Sequence, residues 1–579
     1  MAAASYKDAK YWMEQVDSAL KHRKKVSCEH RWSQIESYYD NGDNNTQGQV
    51  KPYFNLIYMH GRSLLPTLMY DSPKVVNTPR RPEYTAWASY FDSIDSVLVH
   101  EMEVESVFKE AALFTYLYNA CAVQTCYDFP QRNIKKVDVQ KLFRNISSFP
   151  RVDGVINRAR RTNLPWLDLI HPRKLILPKQ ARNQRTLRWF GKMLCYPLED
   201  LKAQGGLQNL VATHVPENVG DRKALVDYFG LEDTDNNEYV VFYELHDACN
   251  QSWAWLSSTG EYILPWEPDP TQVDGLPIEL LTFNPSPNNL WGTPDALYIE
   301  SQMLEGNEIR AMAAKQRRVS LLKGLVDKGL IAKEELEKFY SNEALPFISV
   351  ENLGTKNINE AVALIQPHIP PEWSMYAKDI LNDSQLILGF GPNQLGNFAP
   401  GRRTKFEAQV VEDRNLVRTN ERRNIIGNAI RDVMRKSNQL IIKNWDFPLV
   451  QRVIGVDAAT YWVQAQPSQL QDLSMEITTD VDIESMAPMS AERKKAEVLE
   501  MMGILAQIPG AQLIPLVRQL AAAIPYVDVD KVLPPAPQTE PMGMEQFQQQ
   551  QNQMMQDPNL GQTVQKNLRM YAGSGEKKK

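Results

Sequence analysis

From Arg402 to Lys443 the chain runs 42 residues without a proline and with a single glycine, Gly427. Thr404 and Glu407 stand at the spacing of a capping box at the head of that run. Phe406, Val410, Val417, Ile426, Ile430, Val433, Met434 and Ile441 then recur at helical intervals. The pattern predicts one helix from Thr404 to Lys443 or Asn444, roughly 60 Å long, with Gly427 as the place for a kink. A helix of that length crosses an assembly rather than closing one small core. Residues 402–443 carry eleven Lys or Arg against five Asp or Glu, in a chain whose overall charge is -6.

What precedes the long helix narrows the architecture further. Gly389 to Gly401 holds four glycines and two prolines, the composition of a mobile loop. No strand leads into it, so it does not read as a phosphate-binding turn. A helix is expected from about Trp373 to Leu388. Another is expected from Thr293 to Arg317 or Arg318, with Thr293 as N-cap, Pro294 at the first helical position and Asp295 in the first turn. Between them, residues 319–370 read as a small mixed insert, with a charged helix near Lys333 to Phe339 and an extended Leu345 to Val350. Two helices thus bracket an insert of about 50 residues.

The N-terminal half mixes both periodicities. Residues 5–40, Asn55 to Tyr70 and most of Glu83 to Ala120 read as helices; Val75 to Pro79 and Ala122 to Phe129 read as extended. Glu238 to Asp247, Gln251 to Ser257 and Glu261 to Leu264 read as strands, with turn residues Ser258-Thr259-Gly260 between the last two. After the long helix, Val450 to Ile454, Tyr461 to Gln464 and Ser474 to Thr479 read as strands, and Ser490 to Gln507 and Gln512 to Ala523 as helices. From Leu533 the chain turns rich in Pro, Gln and Met, and disorder is expected. At 579 residues several structural units are expected.

Much familiar chemistry is missing. There is no G-x-x-x-x-G-K-[ST] loop, no H-E-x-x-H, no G-x-S-x-G, and no G-x-G-x-x-G between strand and helix. His22, Cys28 and His30 lack a fourth metal ligand at familiar spacing, and read as solvated histidines and a packed cysteine. Cys121 and Cys126 sit in an apolar stretch and read as small core residues. Five cysteines fit a reducing compartment, and the first residues lack the layout of a signal peptide. With mean hydropathy -0.43, no apolar run is long enough to span a membrane. One enzyme reading stays open: Trp253, Trp255, Trp266 and Trp291 accompany Glu244, Glu261, Glu267 and Asp269, the ingredients of a glycan-processing site. It requires Glu244 or Glu267 in an open cleft; core aromatics are the alternative, because Trp253 and Trp255 share one face of a strand. Residues 151–192 are strongly basic: Arg151, Arg158, Arg160, Arg161, Arg173, Lys174, Lys179, Arg182, Arg185, Arg188 and Lys192. They are expected on a solvated or subunit-facing surface, a nucleic-acid patch being the alternative.

The order helix, insert, helix, glycine-rich loop, long helix resembles the portal proteins of tailed bacteriophages, the head-to-tail connectors, over roughly residues 50–510. Asn55 to Tyr70 followed by Ser72-Pro73-Lys74-Val75-Val76-Asn77-Thr78-Pro79 is similar to the family's opening helix and strand. His171-Pro172-Arg173 with Arg188-Trp189 resembles its wing, and Leu276-Pro277, Leu280, Trp291-Gly292 and Asp295 resemble the turn into its first stem helix. The resemblance implies an α+β, mainly helical multi-domain fold with wing, stem, clip and crown, forming a ring. Residues 1–290 would then be N-terminal helices and a wing with short strands, 291–318 the first stem helix, 319–370 the clip and 371–388 the second stem helix. Residues 389–403 would be the tunnel loop, 404–447 the long kinked helix, 448–485 returning wing strands, 486–530 a helical crown and 531–579 a disordered tail.

The implied function is a ring at the capsid vertex, of about twelve copies, through which double-stranded DNA is packaged and ejected. Implied partners are further copies of the chain, the DNA, the large terminase, head-tail adaptor proteins, and the major capsid and scaffolding proteins. The implied location is the virion, with assembly in the host cytoplasm; no catalysis, cofactor, metal or membrane belongs to the picture. Gly389, Gly391, Pro392, Asn393, Gln394, Gly396, Asn397 and Gly401 would form the tunnel loop, and Lys333, Glu334, Glu335 and Lys338 the clip's docking surface. Arg402, Arg403 and Lys405 would stand at the loop's base, near DNA or in salt bridges to a neighbouring subunit. An acidic chain with few local cations suits DNA that must slide, since every fixed phosphate contact adds salt-dependent affinity. A tail or adaptor ring is the alternative within the same structural world.

Overall fold

The protein is seen in a computed structural model that describes residues 8–27, 29–40, 54–127, 164–204, 207–217, 219–220, 222–231, 239–319, 323–326, 362–365, 372–389, 405–445 and 476–486. The chain divides into two units, Met1–Pro488 and Met489–Lys579; the second lies outside the described residues, and with it the helices expected between Ser490 and Ala523 and the expected disordered tail. The first unit is mixed α+β, and every sheet among the described residues is antiparallel.

Helices α1 (Ala9–Val26) and α2 (Glu29–Tyr39) come first, Asp8 capping α1 through its side chain onto the Lys10 amide. α3 (Leu56–Leu68) is capped by Asn55, whose Oδ1 accepts from the Tyr58 amide at 2.9 Å. β1 (Lys74–Pro79) leads into α4 (Thr85–Glu101) and α5 (Val104–Tyr118). α5 stops at Asn119, which takes the left-handed conformation (φ 66°), a backbone state that asparagine tolerates better than most residues. The Asn119 side chain donates to the carbonyls of Asn284 and Trp291 at 2.9 and 2.7 Å, tying the end of α5 to a loop 165 residues away.

β2 (Ala120–Tyr127) is the middle strand of a three-stranded sheet, flanked by β3 (Pro165–Ile170) and β9 (Ile278–Thr282). A five-stranded meander follows the order β4 (Leu175–Ile176), β5 (Trp189–Pro197), β6 (Tyr239–Asp247), β7 (Ser252–Ser257), β8 (Tyr262–Pro268). The short helices α6 (Leu198–Gln204) and α7 (Arg222–Phe229) lie between β5 and β6. On one face of the meander, Met193, Val241, Tyr243, Leu245 and Leu256 pack with Trp12, Val16 and Leu20 of α1. Trp12 alone, 1% exposed, contributes about 5 kcal/mol if ~200 Å² is buried at ~25 cal/mol per Å². The other face carries a smaller cluster of Val240, Phe242 and Ile263 with Leu201.

Beyond β9 the expected single helix is in fact two. α8 (Asp295–Tyr298) is preceded by Pro294 at its N-cap, with no side-chain cap, and α9 (Glu300–Val319) begins after a break at Ile299. Thr293 is therefore not the cap. Asp295 is instead drawn into a buried pair with Arg422 at 2.9 Å and accepts from Asn284 at 2.8 Å, which holds this turn against the long helix. β10 (Lys323–Val326) and β11 (Val362–Ile365) pair antiparallel and lead into α10 (Glu372–Leu388). α11 (Lys405–Asn444) is a 40-residue helix that passes through Gly427 unbroken. A Cβ on Gly427 would stand 3.1 Å from Ile483 Cγ1, so the glycine allows the turn after β12 (Ile477–Asp482) to lie close against the helix. β12 pairs with β1, and Arg422, Lys436 and Asn438 of α11 reach Asp295, Glu279 and Asp95. The central core accordingly combines α2 to α5, the three-stranded sheet and the C-terminal half of α11.

Candidate functional site

Two places gather the chemistry. The first is the helix pair α9 and α10 with the start of α11. Their buried positions form narrow rows, Met303, Gly306 and Ile309 on α9 and Ile380, Ser384 and Leu388 on α10. Rows that thin leave most of each helix surface open. The pair is seated by side chains of α2 and α3: Arg31 forms a bidentate salt bridge with Glu300, and His60 Nε2 lies 3.2 Å from Ser384 Oγ. The Phe54 amide donates to Asn307 Oδ1 at 2.6 Å, with the Arg310 guanidinium 4.2 Å above the Phe54 ring. Tyr376 on α10 donates to Glu305 on α9 at 2.8 Å.

Of the thirteen exposed large hydrophobic side chains among the described residues, six lie on α9 and α10, namely Leu304, Met312, Met375, Tyr376, Leu386 and Ile387, with Tyr298 at the end of α8 and Val417 on α11 beside them in sequence order. Leu386 is 73% exposed and Met375 66%. Exposed apolar residues scattered singly are ordinary on a protein surface, whereas these six are concentrated on one pair of helices. α10 ends at Gly389, in the left-handed region (φ 75°) that favours glycine, with its amide donating to the Leu386 carbonyl at 3.3 Å. Arg418 of α11 adds donors to the Leu386 and Ile387 carbonyls at 3.3 and 3.2 Å. Gly389 thus stands as a helix terminator fixed against α11. Gly391, Pro392, Asn393, Gln394, Gly396, Asn397, Gly401, Arg402 and Arg403 lie outside the described residues, as do Thr404, Lys333, Glu334, Glu335 and Lys338. Lys405 is the first residue of α11.

The second place is a buried ionic cluster between the two larger sheets. Lys192 of β5 is opposite Glu244 of β6, and both are 8% exposed. Lys192 Nζ donates to Gln124 Oε1 of β2 at 2.8 Å and to Asp168 Oδ2 of β3 at 3.0 Å, with Glu244 at 3.7 Å. His246, two residues along β6 and so on the same face, lies 3.0 Å from Glu244 through Nε2 and 2.6 Å from Asp269 through Nδ1. Its ring stacks on Phe190 at 4.8 Å. Burial works against the charges of Lys192, Glu244, His246 and Asp269, but the partners prevail. Glu244 falls to about 2 under Lys192 and His246, and His246 rises to about 9 between Asp269 and Glu244. At neutral pH the imidazole is therefore a cation donating from both nitrogens.

Several expectations change on this geometry. The basic stretch is not one surface: Arg173 and Lys192 are buried, Arg173 pairing with Glu36, while Lys179, Arg182, Arg185 and Arg188 are exposed. The former are drawn inward by carboxylates beside them, half-buried Glu36 for Arg173 and buried Glu244 for Lys192. Arg151, Arg158, Arg160 and Arg161 lie outside the described residues. Trp253 and Trp255 do share a face, but they are half-buried; the fully buried apolar residues of β7 are Ala254 and Leu256, on the alternate positions. That tryptophan face meets Glu244 and His246 in register. Glu244 is nevertheless closed off by its partners, and Glu267 is exposed on the edge strand β8. Of the two carboxylates that the glycan reading could place in a cleft, Glu244 is thus buried and Glu267 alone is open to solvent. Cys121 is fully buried, 3.3 Å from Thr115 Oγ1, and burial pushes its thiol up to about 12. Cys28 lies outside the described residues, and among those described no group of three His, Cys, Asp or Glu is placed to hold a metal ion.

Sequence reasoning missed the Lys192–Glu244–His246–Asp269 cluster and the buried Asp95. The i, i+2 spacing of Glu244 and His246 inside an apolar strand was the available signal. No protein-family model matches the chain, and no curated protein is similar to it in sequence.

Proposed function

We propose that the chain is a portal-type ring protein: a homo-oligomer, of about twelve copies, around a channel for double-stranded DNA at a capsid vertex. The observation that carries the reading is the concentration of exposed apolar side chains on α9, α10 and the start of α11. A lone subunit would leave these residues in water, whereas neighbours in a ring would cover them. Support also comes from order: a helix, a segment opening and closing on paired strands, a second helix and a 40-residue helix follow one another along the chain. In this reading α9 and α10 form the stem, the segment between them is the clip that meets the large terminase and later the head-tail adaptors, and α11 joins the tunnel loop to the wing. The major capsid and scaffolding proteins surround the wing, the chain itself catalyses nothing, and the place of action is the virion after assembly in the host cytoplasm.

The test is the mass of the purified particle together with end-on electron-microscope class averages. Twelve copies of a 66.2 kDa chain weigh about 800 kDa and should show a central hole wide enough for duplex DNA. Leu386→Glu combined with Met375→Glu should reduce that species to smaller ones without unfolding the subunit. Assembly unchanged in the double variant, or a subunit that stays monomeric even with shell and scaffold proteins present, would sink the reading.

A further inference from the structure

Asp95 on α4 has no solvent exposure and no cation against it. Its Oδ2 accepts from Asn77 Nδ2 of β1 at 2.6 Å and from Asn438 Nδ2 of α11 at 3.2 Å. Its Oδ1 accepts nothing, and neither does Oδ1 of the same Asn438. Two buried acceptors therefore stand idle on two side chains that already share one hydrogen bond. An ionised carboxylate can only accept, so it offers nothing to the Asn438 carbonyl; a carboxylic acid carries a donor. Leaving both oxygens unmet would cost each its full loss of hydration. We propose that Asp95 is a neutral carboxylic acid in the folded protein, its Oδ1 proton donated to Asn438 Oδ1, so that a two-point acid–amide pair latches α4 to α11.

The surroundings agree. Burial pushes the Asp95 carboxyl up to about 7, opposed by the Asn77 and Asn438 hydrogen bonds and assisted by the neighbouring Asp92. The charged groups on the elements around it are otherwise engaged or remote in effect. On α11, Arg435 turns to Asp274, Lys436 to Glu279 and Arg431 to Asp432. On α5, Lys109 pairs with Glu105. Lys74 of β1 and Asp480 and Asp482 of β12 are not among the groups that move it. Asn77 is held in place by Thr479 of β12, whose hydroxyl donates to Asn77 Oδ1 at 2.8 Å, so the latch also includes the β1–β12 pair.

Because the folded pKa lies above the ordinary value of about 3.9, the folded state keeps a proton that the unfolded chain has released. The latch is fully present below about pH 4 and is lost as pH rises through about 7. The experiment is an infrared pH series on the full chain with ¹³C-carboxyl-labelled aspartate, wild type against Asp95→Asn. A protonated-carboxyl band present at pH 5, absent from Asp95→Asn and vanishing with a midpoint near 7 is expected; no such band at pH 5 overturns the proposal. Thermal unfolding supplies the second readout. Asp95→Asn places an amide donor where the acid's hydroxyl was, so it should match the wild-type melting temperature at pH 4 and remove the fall that the wild type shows between about pH 4 and 7. An equally steep fall in the variant would overturn the latch. If Asp95→Asn does not fold, the wild-type band and its midpoint decide alone.

Discussion

The sheet cluster around Glu244 and the helical joint around Asp95 bury the same functional group with opposite results. Glu244 is held to about 2 and Asp95 is pushed to about 7. Burial disfavours the charge at both. What differs is the company: Glu244 faces the cations Lys192 and His246, whereas Asp95 meets the amides of Asn77 and Asn438 and the like charge of Asp92. The histidines repeat the contrast. His246, between two carboxylates, rises to about 9, and His60, buried beside Ser384, falls to about 4. The sheet cluster holds these groups charged and the helical joint holds them neutral, so a carboxyl, or an imidazole, in one should respond to pH in the direction opposite to its counterpart in the other.

The largest break in that contrast comes from removing the cation. Lys192→Met leaves Glu244 and Asp168 without their shared ammonium and should lower unfolding free energy by about 3–5 kcal/mol, the usual consequence of breaking one side of a buried pair. Chemical denaturation measures it, and a loss below about 1 kcal/mol would mean the cluster is not ionic in the way drawn.

A pH pair sharpens the comparison next. His246, raised to about 9, contributes stability that is whole below about pH 6.5 and lost as pH rises through 9. His60, lowered to about 4, contributes stability present above about pH 6.5 and lost as pH falls toward 4. Each swing is on the order of 3 kcal/mol. Hydrogen exchange, corrected for intrinsic rates, should show β6 opening more easily at pH 9.5 and α3 more easily at pH 4.5, with His60→Leu abolishing only the acid effect. The same pH sensitivity in both elements would erase the distinction.

The smallest effect is expected at the end of α10. Arg418→Ala removes two donors from the Leu386 and Ile387 carbonyls at an exposed site, and should change stability by only about 0.5 kcal/mol. A drop of several kcal/mol would show that the junction before the glycine-rich loop carries far more of the fold than its exposure indicates.

Much of the secondary structure was legible in the sequence. The absence of proline and the apolar spacing between Arg402 and Lys443 were enough for α11, and the alternation around Trp253 and Trp255 was enough for β7. The break at Ile299 was not legible, because Thr293-Pro294-Asp295 carries good helix-start chemistry, and what overrides it is Arg422, 127 residues downstream. The two populations of the basic stretch were equally hidden. Arg188 and Lys192 look alike as sequence, yet one is exposed and the other lies in the ionic cluster.

By itself the sequence determined where the chain coils and where it extends, since periodicity and caps act over a few residues. It also determined the order of those elements on which the portal reading rests. Only the tertiary structure decided which charges survive burial. The partner of Asp95 is 343 residues away and that of Lys192 on β2 is 68 residues away, and a buried group's ionisation follows from what surrounds it in space, which no local pattern encodes.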